Sequence, residues 1–168
     1  MEQLTLVWEG PLEMMMETPE KLSGKPGLYA IVHDSNTIYI GKAQYSNAVF
    51  REAKNRENKW IKCLREKGII SETMLDLAPY EYVQSHCRIY VGMMSDGQRL
   101  DLLGDAEKLL IYKIQPLCNK QHKKKYKGGK PFLVTNNGNR PQDLQVRIRY
   151  PDACMHGHCY KFGVDPYR

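Results

Sequence analysis

The sequence predicts an α+β fold, a small antiparallel sheet with helices packed on it, and three observations predict it. Short runs rich in β-forming residues recur at 4–10, 27–33, 37–43 and 87–94. Two longer stretches, 46–67 and 100–114, repeat apolar residues at helical spacing. The order is strand, hairpin, helix, strand, helix, basic loop and a second hairpin, which is the order of an α+β domain.

Each element has its own warrant. "LTLVWEG" alternates and reads as a strand. In "GLYAIVHDSNTIYIGKA", Asp34, Ser35 and Asn36 are a turn between two apolar runs, hence a hairpin. Ser46 or Asn47 can cap the next helix. Val49, Ala53, Trp60 and Leu64 fall on one face of it, and Gly68 stops it. Residues 71–78 read as a short helix, and Pro79 interrupts the segment after it. "CRIYVGMM" is a third strand, closed by the turn "SDGQ". "LDLLGDAEKLLIYKI" is an amphipathic helix that Pro116 ends. "PFLVT" and "LQVRIRY" form a second hairpin around the turn-rich 136–143. Arg147 and Arg149 alternate onto its polar face.

The 168 residues fit one domain. No apolar run is long enough to span a bilayer. The start, "MEQLTLVWEG", lacks the basic and apolar regions of a signal peptide. Five cysteines, odd in number and scattered, argue against a disulfide framework and fit a reducing compartment. A soluble cytoplasmic protein is therefore expected. The net charge of +6 is unevenly placed. Residues 120–168 hold 11 basic and 3 acidic residues, whereas 1–119 hold 14 and 16. Such a basic surplus favours a polyanionic partner, nucleic acid first.

The residues able to carry chemistry concentrate on the first hairpin. Tyr39 and Gly41 share one strand face, and Tyr29 can join them from the neighbouring strand. Lys42 comes next, so two phenols and an ammonium can gather at one strand end. Gly41, without a side chain, would let a ligand approach the backbone. The alternative is two ordinary sheet tyrosines with buried rings. Glu107 sits in the first turns of the second helix, where it either complements the helix dipole or anchors magnesium. Asn119, past Pro116, can hydrogen-bond local backbone.

Taken in order, these residues resemble the GIY-YIG nuclease signature. "GLY" stands where the family has Gly-Ile-Tyr. After it come "YIGK", an arginine on the next helix, a helix glutamate and the asparagine of "PLCN". The likeness covers residues 26–120, leaving 121–168 as a basic extension. It implies a three-stranded antiparallel sheet flanked by helices, to which the N-terminal strand and C-terminal hairpin are additions. It also implies metal-dependent endonuclease activity on nucleic acid, usually DNA, with RNA the other candidate. Tyr29 would orient or deprotonate water, although phenols, with reference pKa about 10, are poor bases near neutrality. Tyr39 would bond the scissile phosphate. Lys42 would help lower the phenol's pKa. Arg51, with Arg56 as its rival, would neutralise the transition state. Glu107 would hold one Mg²⁺ or Mn²⁺, and Asn119 would brace the site.

Lys120, Lys123, Lys124, Lys125, Lys127 and Lys130 would flank this site and hold phosphates. Arg147 and Arg149 can reach a groove or backbone, and Tyr126 can stack on a base. Cutting both strands of a duplex would call for a homodimer. Cys154, His156, His158 and Cys159 have zinc-ligand chemistry, but their crowding within six residues argues against one tetrahedral ion. Rival readings are a nucleic-acid-binding module without catalysis, and a zinc-binding accessory protein.

Overall fold

A computed structural model describes residues 1–14, 25–43, 57–70, 79–126 and 130–152. The strands are β1 (Glu2–Glu13), β2 (Gly27–His33), β3 (Asn36–Ala43), β4 (Cys87–Met94), β5 (Phe132–Gly138) and β6 (Arg147–Tyr150). The helices are α1 (Glu57–Glu66), α2 (Pro79–His86) and α3 (Leu103–Ile114), with a 3₁₀ turn at Leu100–Leu102 leading into α3. No described helix is long and apolar enough to cross a membrane.

The six strands form one mixed, curled sheet in the order β3-β2-β4-β1-β5-β6. This corrects the expectation of a small three-stranded sheet flanked by helices. β1 and the β5–β6 hairpin are not additions to a finished sheet. β1 runs antiparallel to β4 and parallel to β5, with Glu2 opposite Phe132, so it joins the two halves. Local patterning shows that a segment is a strand. It does not show which distant strand completes its hydrogen bonds.

β2 is buried on both faces, as a central strand must be. Leu28 and Ala30 point into one core, and Tyr29 and Ile31 into the other. α3 fills the inside of the curl with Leu103, Ala106, Leu109 and Leu110, touching β2, β3, β5 and β6. α1 and α2 cover the other face with Trp60, Leu64 and Val83. The curl brings the sheet ends together. The backbone N–H and hydroxyl of Thr37 on β3 donate to Asp143 Oδ2 at 2.7 Å and Oδ1 at 2.6 Å, in the β5–β6 connection. A register shift beside Ile31 in the β2–β3 ladder and another between Glu9 and Leu12 in β1 supply local bends.

Other local expectations fare differently. Pro79 opens α2 rather than interrupting a segment, which suits a residue with no N–H to satisfy in a first turn. Val49, Ala53, the capping residues and the short helix at 71–78 lie outside the described residues.

Candidate functional site

β3 is an edge strand, so its outward N–H and C=O groups need partners. The chain after α3 supplies them. Gln115 closes the helix in the left-handed region at φ 58°, and Pro116 prevents continuation. The returning backbone then runs along β3. Cys118 N–H donates to Ile38 O at 2.7 Å. The Asn119 side chain accepts from Ile40 N–H and donates to Ile40 O, both at 2.8 Å. A carboxamide thus substitutes for a strand neighbour, and Asn119 is buried.

The two tyrosines lie on the α1 side of the sheet. Tyr29 is fully buried, opposite Gly41 in the ladder. A Cβ at residue 41 would stand 2.6 Å from the Tyr29 ring. Gly41 is therefore small for the phenol, not for a ligand, which corrects the reading of an open backbone there. Tyr39 is half-buried, with its ring 5.9 Å from that of Tyr29 and 6.0 Å from that of Trp60. Lys42 alternates to the α3 side. Its Nζ is 4.0 Å from Glu107 Oε2, an opposite-charge approach too long for a hydrogen bond. The close pass of Lys42 over Gly104 permits this, since a Cβ there would lie 3.2 Å from Nζ.

A cleft of about 480 Å³ opens at the β3 edge between α1 and α3. Tyr39, Glu107, Asn119 and Lys120 line it, so three parts of the chain bring four predicted site residues together. Tyr29 lies behind Tyr39 and is not among the lining residues, and Lys42 reaches the cleft through Glu107. Lys124, Lys125 and Lys130 are exposed and not among the lining residues, and Lys123 is half-buried. Burial and the Lys67 ammonium hold the Lys123 ammonium below the ordinary lysine range. Arg147 is exposed and Arg149 half-buried on β6, and neither is among the lining residues. Arg51, Arg56, Lys127 and the Cys154–Cys159 cluster lie outside the described residues.

Tyr126 does not offer a stacking face. It is buried in the α3 core against Tyr150, with ring centroids 4.7 Å apart. Among the described residues no group of three His, Cys, Asp or Glu could hold a metal ion. Glu107 fits the sparser arrangement in which Mg²⁺ takes one carboxylate and completes its shell with phosphate and water oxygens. Its side chain is 18% exposed and lines the cleft, so it is both accessible and held.

Two features of the cleft escaped the sequence. Lys59, Lys62 and Glu66 of α1 line its other wall; the signal was there, since this is the polar face opposite Trp60, Ile61 and Leu64. The other is a disulfide between Cys63 on α1 and Cys118, with Cα atoms 5.7 Å apart. Scattered spacing argued against such bridges, but proximity in space is what decides them. No family model matches this chain, and no curated protein or solved structure matches it.

Proposed function

We propose that this protein is a metal-dependent nuclease that hydrolyses nucleic-acid phosphodiesters, DNA first, at the β3-edge cleft. One observation carries the reading. Tyr39, Glu107, Asn119 and Lys120, from separate parts of the chain, line a single cleft. They are a phenol, a carboxylate, a backbone brace and a cation, a set suited to a phosphate.

Hydrolysis forms a bond from a water oxygen to phosphorus and breaks a bridging P–O bond. The water must lose a proton, and the departing oxygen must gain one. Tyr39 lines the cleft, and its hydroxyl would orient the water or bond a non-bridging oxygen. Tyr29 and Trp60 pack around its ring, which keeps that hydroxyl in one place. Lys120 contributes positive charge where negative charge accumulates. Glu107 is the residue that would hold Mg²⁺ or Mn²⁺; bound there, the ion would neutralise phosphoryl and leaving-group oxygens. Lys42 places its positive charge 4.0 Å from the Glu107 carboxylate, on the sheet side. Asn119 fixes the backbone of β3 between Tyr39 and Gly41.

The test is conversion of supercoiled plasmid to nicked or linear forms in Mg²⁺ and in Mn²⁺. Wild type is expected to cut, and Glu107→Ala to cut about 10²-fold more slowly or worse. If wild type shifts DNA in a gel but cuts in neither metal, the protein binds nucleic acid without hydrolysing it. If Glu107→Ala cuts as fast as wild type, the assignment of the carboxylate fails.

A further inference from the structure

The basic surplus of the sequence begins just after Asn119, yet two of the three lysines that line the cleft come from α1. Lys59, Lys62, Cys63 and Glu66 all line it, at spacings of three, one and three residues, which is a single helical face. Lys62 makes an exposed pair with Glu66 at 3.9 Å, a contact worth little in water. Lys120 faces them from the wall after α3. Beyond it, Lys67 just past the end of α1 and Lys123 in the basic loop come close enough to interact unfavourably. Of the two carboxylates on the lining, Glu66 is paired with Lys62 and Glu107 lies beside Lys42. Cations drawn from two parts of the chain thus outnumber the carboxylates around one opening. An anion between the walls relieves that repulsion.

The size of the opening narrows the choice of anion. At about 480 Å³ the cleft is far smaller than a duplex, whose major groove alone is about 12 Å wide. It therefore takes the backbone of one strand at a time, and a duplex would have to lie across its mouth.

The geometry points to a channel for a single nucleic-acid strand, with Lys59 and Lys62 of α1 as one bank and Lys120 as the other. This rests on the nucleic-acid reading above and adds to it a substrate class and two phosphate-positioning residues. The lysines act through charge on the backbone and so carry no sequence preference. The substrates it favours are single strands, the unpaired ends of duplexes and the transiently opened stretches of a supercoiled plasmid.

Binding rather than cleavage tests this, with metal chelated so that nothing is cut. The measurement is fluorescence anisotropy of a labelled single-stranded oligonucleotide, and of its blunt duplex, across a salt series. Wild type is expected to bind the single strand more tightly than the duplex. The double variant Lys59→Gln/Lys62→Gln is expected to weaken single-strand binding and flatten the slope of log K against log salt by about 1.4. Lys120→Gln, on the opposite bank, should flatten it by about 0.7. Arg65→Gln, on α1 but off the lining face, controls for general loss of helix charge and should change the slope less than either. Equal or tighter binding of the duplex overturns the channel. So does a wild-type slope in the Lys59/Lys62 variant while wild type still binds and cuts, and the nuclease reading then survives. If wild type binds neither probe, the nucleic-acid reading falls and takes the channel with it.

Discussion

Tyr126 shows how far a single side chain can depart from its apparent role. A tyrosine set among lysines looks like a stacking platform, but the chain folds its ring into the α3 core. Its hydroxyl is buried and has no hydrogen-bond partner among the described residues. Burial first, then the charges of Asp105 and Tyr150, push its pKa from 10.0 up to about 12. The folded state therefore keeps the proton over a range where the unfolded chain loses it, and stability falls as pH rises from 10 towards 12. Tyr126→Phe removes an unsatisfied buried group and should stabilise the protein by about 1 kcal/mol at neutral pH. Its advantage should widen between pH 10 and 12. Urea midpoints across that range check both claims, and a variant less stable than wild type would show that the hydroxyl has a partner. Gly41 gives the complementary lesson. Its lack of a side chain was visible in the sequence, but the ring that needs the space belongs to Tyr29, on the neighbouring strand.

The β3 edge depends on the segment after α3. Asn119 satisfies both the N–H and the C=O of Ile40, at the point where the strand turns Tyr39 towards the cleft. Asn119→Ala removes two buried hydrogen bonds and strands their partners, which should cost about 2–4 kcal/mol. The denaturant midpoint measures that cost. Asn119→Asp keeps the acceptor for Ile40 N–H but sets a carboxylate oxygen against Ile40 O, so it should rescue little. A full rescue by aspartate would show that the single bond from Ile40 N–H is enough. The element boundaries near this edge were largely legible. β2, β3 and β4 lie where alternation put them, and Pro116 ends α3 because it cannot extend a helix. The bracing itself was legible only as a residue type able to bond backbone, since nothing local says which strand Asn119 meets.

The Cys63–Cys118 bridge ties the two walls of the cleft across 55 residues of chain. Closing a loop of that length restricts the unfolded ensemble and contributes on the order of 2–4 kcal/mol. Reduction should lower the denaturation midpoint of wild type, and Cys63→Ser/Cys118→Ser should match the reduced protein and ignore the reductant. A wild-type midpoint that does not respond would mean the bridge contributes nothing to stability. The same bridge holds Lys59 and Lys62 of α1 opposite Lys120, so the spacing of the cleft walls is a property of the assembled molecule. The parallel pairing of β1 with β5 and the contact of Thr37 with Asp143 belong to this level too.

Periodicity in the sequence was enough to find six strand segments, the helix under the curl and the apolar face of α1. These come from spacings of two and near four residues, which are local. The ordered set Tyr29, Tyr39, Glu107 and Asn119 was likewise readable as candidates. What no local pattern carried was the joining of the strands into one curled six-stranded sheet, the burial of Tyr126 away from solvent, and the meeting of Cys63 with Cys118. Each depends on contacts between residues far apart in the chain, whose free energy comes from shared burial and from completing hydrogen bonds at strand edges. Those terms exist only once the whole chain has packed.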